Sequence, residues 1–120
     1  MTPDLASAVA AQSDFTADVF DRLRAASVDV RGVTRASYGK GEQAAHALMA
    51  ETARGLGLEI AQDAAANTYM TWPGQDRSKP KYMVGSHLDS VPQGGNFDGA
   101  AGVVAGLTAI RALQSIGHRP

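Results

Sequence analysis

The sequence predicts an α/β fold in which an incomplete mixed sheet is flanked by helices, and three observations point that way. Segments with apolar residues at helical spacing alternate with short β-like segments. The last β-like segment runs into a glycine-rich loop, and the helix after that loop is apolar over most of its circumference. With 120 residues, 44% of them hydrophobic, the chain can build one domain with a modest core. It divides into an N-terminal helical segment, residues 1–30, and a part that holds the sheet, the remaining helices and the loop, residues 31–120.

The Ala-rich start, residues 1–13, contains Asp4 and no Lys or Arg, so it lacks the positive end of a secretory signal. Phe15, Val19, Phe20 and Leu23 lie at helical spacing and predict a helix over 15–26, with Ser13 or Asp14 as its cap. Residues 28–40 follow neither period and carry Gly32 and Gly39, which reads as a loop. A helix over 42–56 comes next, with Ala45, Leu48, Met49, Thr52 and Leu56 on one face and Gly57 placed to end it.

Residues 58–60 begin a short strand, residues 67–72 form a second, and Pro73, Gly74 and Pro80 mark a polar turn between the second strand and the third. Residues 81–86 (Lys-Tyr-Met-Val-Gly-Ser) predict that third strand, apolar in its middle and therefore buried. The final helix spans 99–116 and is closed by Gly117. Gly102 and Gly106 leave one of its faces bare for close approach to a sheet, while Val103, Val104, Leu107, Ile110 and Leu113 make most of the remainder apolar. Such a helix needs cover on more than one side, and three strands are too few. The chain is therefore expected to be a fragment.

Composition narrows the partners. A net charge of −1 and scattered basic residues give no electrostatic case for nucleic acid or an anionic membrane. The longest apolar run, residues 99–110, is too short to cross a bilayer, so a cytoplasmic protein is the expectation. There is no cysteine, which leaves His, Asp and Glu as the ligands for any metal. Neither Gly39-Lys40-Gly41 nor the loop from Gly94 onward has the glycine spacing of a phosphate cradle.

Residues 84–102 hold the residues that point to chemistry. An apolar strand runs directly into His87, which places the imidazole at the carboxyl edge where α/β sheets bind ligands. Asp89, two residues on, can accept the Nδ1–H of His87 and leave Nε2 free for a metal. Asp98 opens the last helix, where the helix dipole favours a carboxylate. Gly94, Gly95 and Gly99 permit the loop that brings Asp98 back toward His87. Taken singly, His87 also suits an exposed strand end, Asp98 a helix cap, and Asp89 a turn before Ser90 and Pro92. The ordered set is what points to a metal.

These motifs resemble the amidase/hydantoinase/carbamoylase family of dinuclear metallo-aminopeptidase-like hydrolases, which includes N-carbamoyl-L-amino acid hydrolases and allantoate amidohydrolases. The resemblance begins at Gly32-Val33-Thr34-Arg35. It continues through Asp63-Ala-Ala-Ala-Asn67, where Ala66 replaces the family's Gly, and is most specific at residues 85–92 and 94–99. It implies a zinc-aminopeptidase-like catalytic domain, of which this chain is the N-terminal part, without the family's dimerisation domain. It further implies that His87 binds one of two divalent cations, Zn or Mn, that Asp98 bridges both, and that Asp89 acts beside them by orienting His87.

The substrate would be a small molecule and the full-length form a homodimer. The remaining ligands and the general base would lie beyond Pro120, leaving this chain inactive alone, and the peptide between Asp98 and Gly99 would be cis. A dipeptidase or aminopeptidase of the same fold, and a non-catalytic assembly module, are the alternatives. Arg35 suits either an approach to the substrate or a solvated loop position. His46 and His118 read as solvated surface residues.

Overall fold

Helix formation in this chain follows the apolar spacing, with local differences at the ends. The computed structural model describes residues 4–120. Residues 1–3, part of the stretch read as lacking a secretory signal, lie outside the described residues. A short helix that the apolar pattern does not predict, α1 (Leu5–Ala10), comes first; the Asp4 carboxylate accepts the Ser7 N–H at 2.8 Å and satisfies one of its free donors. It leads almost directly into α2 (Ser13–Ala25), whose N-cap is Gln12, with no side-chain cap. Neither Ser13 nor Asp14 caps the helix as expected. The Ser13 hydroxyl donates to the Ala10 carbonyl at 2.6 Å, because the preceding helix leaves that acceptor within reach.

Helix α3 (Lys40–Gly55) starts two residues before the predicted position, with Gly39 as N-cap. Glu42 reaches back to accept the Tyr38 N–H, a local bond that fixes the helix start in the manner of a capping box. Two short strands follow, β1 (Glu59–Gln62) and β2 (Thr68–Thr71), paired antiparallel with Glu59 opposite Thr71 and Gln62 opposite Thr68. The last helix is α4 (Ala100–Ser115). Buried side chains from three helices and two loops form one core: Val19 and Leu23 of α2, Met49 and Ala53 of α3, Leu58, Leu88, and Val104 and Leu107 of α4.

The predicted third strand is not observed. Residues 81–86 make no strand pairing, and Tyr82, Met83 and Val84 are exposed rather than buried; the only sheet among the described residues is the β1–β2 hairpin. The apolar run correctly signals a segment that requires cover, but no strand of this chain lies beside it to supply hydrogen bonds. It approaches α4 at two glycines. A Cβ on Gly102 would sit 2.7 Å from the Ser86 Cβ, and one on Gly106 would sit 3.0 Å from the Val84 Cγ1. The two glycines therefore allow the close approach that their spacing predicts, with an unpaired extended segment in place of a sheet.

His46 also departs from expectation. Its Nδ1 lies 2.8 Å from the Thr68 hydroxyl and its ring is half-buried, so it links α3 to β2 instead of facing solvent. His118 is exposed, set edge-on to Trp72 at 6.0 Å.

Candidate metal centre

The extended segment 81–86 delivers His87 to the edge of the molecule, and the chain turns inward immediately afterwards, burying Leu88 in the core. That turn brings Asp89 back under the imidazole. The Nδ1 of His87 lies 2.9 Å from Oδ1 of Asp89. An ionised carboxylate can only accept, so the shared proton resides on Nδ1, which in the neutral imidazole leaves the lone pair on Nε2.

The Ser37 hydroxyl donates to the other oxygen of Asp89. That hydrogen bond, followed by the one from His87, holds the Asp89 carboxyl below its ordinary value of 3.8. The carboxylate is thereby kept ionised and fixed on two sides.

Nε2 faces Asp98, whose Oδ1 is 3.7 Å away. That separation is too long for a hydrogen bond. It does suit a cation between them: with ligand distances of roughly 2.0–2.2 Å, two donors on one tetrahedral ion lie about 3.4 Å apart. Asp98 immediately precedes Gly99, the N-cap of α4, and no side chain caps that helix. The carboxylate is thus free of the capping role that its position alone suggests.

The local backbone explains how the two candidates meet. Gly99 has φ +68, and a Cβ there would collide with the His87 carbonyl at 2.4 Å and its ring at 2.5 Å. Only glycine lets the loop close on the histidine. The peptide between Asp98 and Gly99 is trans here, whereas the cis bond that the resemblance implies is expected of the complete enzyme; the positive φ of Gly99 accompanies the chain reversal.

His87 and Asp98 are more than half exposed, with side-chain values of 55% and 58%, so one side of the pair is open. Among the described residues no group of three or more His, Asp or Glu side chains converges on a common point suited to a metal ion. Two ligands fall short of the three protein ligands that a catalytic zinc ion generally keeps. The donor chemistry fits a divalent cation; the ligand set is partial.

The sequence leaves the place of Arg35 open. It is fully buried, at 0% exposure, and is neither solvated nor directed at an open pocket. Its guanidinium donates to the Leu88 carbonyl at 2.7 Å and to the Asn96 side chain and carbonyl at 3.1 Å each. Burial lowers its pKa, opposed by the negative charges of Asp98 and Asp89 nearby. The signal was present in the motif Gly32-Val33-Thr34-Arg35, but a lone arginine in a glycine-containing loop does not reveal its own burial.

Known proteins similar to this chain are hydrolases. The sequence profile of peptidase family M28 matches residues 67–120. An N-carbamoyl-L-amino-acid amidohydrolase from Pseudomonas sp. (strain NS671) is 39% identical over 84 residues, covering 70% of this chain and 20% of that protein. A ureidoglycolate hydrolase from Oryza sativa subsp. japonica is 35% identical over 91 residues, covering 76% of this chain and 19% of that protein. The crystal structure of a hydantoinase/carbamoylase family amidase from Burkholderia ambifaria superposes with a TM-score of 0.79 at 31% identity, over 92% of this chain and 27% of that one. The chain thus spans about a fifth of the length of the curated relatives it matches.

Proposed function

We propose, on the premise that the chain belongs to the amidase/hydantoinase/carbamoylase family, that it supplies part of the active site of a metal-dependent hydrolase acting on linear amide or carbamoyl C–N bonds. The observation that carries this reading is the disposition of His87, with Nδ1 fixed by Asp89 and Nε2 directed at the Asp98 carboxylate 3.7 Å away. His87 would hold one divalent cation, and Asp98 would be shared between two. Oxygen and nitrogen donors suit both Zn and Mn. When bound, such a pair supplies Lewis acidity and a nucleophilic water at neutral pH.

The contribution of this chain is positional. Asp89 holds the Nδ1 proton and so leaves Nε2 available to a metal in the neutral imidazole; Ser37 holds the Asp89 carboxylate in place. Gly99 closes the loop so that Asp98 approaches the same point. The further ligands and the general base belong, on the resemblance, to residues outside the 120 of this chain. The family names favour N-carbamoyl-L-amino acids or allantoate as substrates. An N-carbamoyl substrate would yield an amino acid, carbon dioxide and ammonia. The match to peptidase family M28 favours a second reading, a dipeptidase or aminopeptidase. The complete protein is proposed to act as a cytoplasmic homodimer; no helix among the described residues is long and apolar enough to cross a membrane.

The test uses the protein made from its complete coding sequence. His87→Ala and Asp98→Ala should each lower hydrolysis of N-carbamoyl amino acids or allantoate by more than about 100-fold and reduce bound metal, since even the loss of a group that only orients a metal ligand costs about 10–100-fold. Turnover of dipeptides alone would favour the second reading. Unchanged hydrolysis of every substrate class in both variants would overturn both.

A further inference from the structure

We propose that residues 33–37 form a clamp that sets the geometry of the metal loop, with Arg35 and Ser37 as positioning residues; this rests on the assignment of His87 and Asp98 as ligands. Arg35 grips both limbs of that loop at once. Its Nε donates to the carbonyl of Leu88, the residue after His87, at 2.7 Å. Its Nη1 and Nη2 donate to the side chain and carbonyl of Asn96, two residues before Asp98, at 3.1 Å each. One rigid, planar group therefore spans from the His87 limb to the Asp98 limb.

The backbone of the same segment continues the grip. Val33 and Gly94 exchange two N–H···O bonds, at 2.9 and 2.8 Å, in an isolated antiparallel bridge. The Ser90 N–H donates to the Arg35 carbonyl at 2.7 Å, and the Arg35 N–H donates to the Ser90 hydroxyl at 2.9 Å. At the end of the segment Ser37 donates to Asp89, which in turn holds His87. The clamp thus controls the separation of the two limbs through Arg35 and the ring orientation through Ser37.

Core packing alone does not account for an arginine here. Burying a cation is costly, and an apolar side chain of similar volume would fill the space without that cost. No carboxylate makes a salt bridge with the guanidinium among the described residues; its partners are carbonyl, amide and hydroxyl oxygens. What arginine supplies is several donors in a fixed fork that read two backbone segments together. Lysine, a flexible point charge, cannot reproduce that geometry.

Ser37 provides the more tractable variant, because it is exposed and its removal disturbs no packing. The experiment measures metal affinity by chelator competition in the complete protein, with the unfolding midpoint of the metal-free form recorded for each variant. His87→Ala serves as the control for ligand assignment and should abolish binding at the site. Arg35→Lys and Ser37→Ala should each weaken metal binding by about 10–100-fold, the range for groups that orient metal ligands. Ser37→Thr, which keeps the hydroxyl, should restore affinity while leaving the midpoint where Ser37→Ala leaves it. Wild-type affinity in Ser37→Ala or in a folded Arg35→Lys overturns the clamp. If Arg35→Lys does not fold, Ser37→Ala and its Thr rescue decide the matter. Retention of metal by His87→Ala overturns the ligand assignment itself, and the clamp with it.

Discussion

At the scale of single residues, the turn between β1 and β2 shows how a local conflict is tolerated. Ala66 has φ +67, a left-handed conformation that disfavours a Cβ, at the position where the family motif carries Gly. Asp63 compensates by accepting from the Ala65 and Asn67 N–H groups and the Asn67 side chain, each at 2.9 Å, and from the Tyr69 hydroxyl. Ala66→Gly should raise stability by about 1 kcal/mol in denaturant unfolding, through relief of that strain.

The same hydrogen bonds, those from Asn67 foremost, hold the Asp63 carboxyl below its ordinary value of 3.8. A depressed folded-state value means the contribution is fully present above the unfolded value near pH 4 and is lost as pH falls through the folded one. An NMR titration should place the Asp63 midpoint below 3.8, and Asp63→Asn should remove its part of the acid dependence. The motif Asp63-Ala-Ala-Ala-Asn67 was legible in the sequence, because both polar ends of the turn are short side chains that bond to nearby backbone. The proximity of His87, Asp89 and Asp98 was legible for a similar reason, since loop glycines and an adjacent carboxylate fix their relation locally. The role of Arg35 was not, because its partners lie 53 and 61 positions away.

Among the elements, the helices follow their apolar stripes, and the errors fall where a stripe says nothing about a partner. Leu23 and Met49 are buried in the shared core of α2 and α3, in line with their spacing. Leu23→Ala should cost about 2–5 kcal/mol in unfolding free energy, the range for a large-to-small change in a closed core. Helix α1 was missed because six Ala-rich residues carry too little period to read. Residues 81–86 were read as a buried strand because an apolar run states a need for cover without saying what provides it. The small-residue face of α4 was the more reliable signal, since close approach at Gly102 depends on that position alone. Gly102→Val should displace Ser86 and with it His87, lowering metal affinity together with stability by about 1–3 kcal/mol, as overpacking does. Calorimetry paired with metal titration would separate this from a change confined to the loop.

For the molecule as a whole, the fold places one partial site at one edge. Among the described residues, a two-stranded hairpin, four helices and an unpaired segment surround a core small enough that Leu88, within the site loop, belongs to it. Core and site are therefore coupled: the residue between His87 and Asp89 is anchored in the same cluster as Leu23 and Val104. The curated relatives are about five times longer than the stretch they share with this chain.

The proposed function requires a cation held between His87 and Asp98. Anomalous diffraction from crystals of the complete protein grown with Zn or Mn tests this most directly. It should show a peak roughly 2.0–2.2 Å from both the His87 Nε2 and an Asp98 carboxylate oxygen. A fully occupied cation coordinated elsewhere, with neither side chain among its ligands, would contradict it.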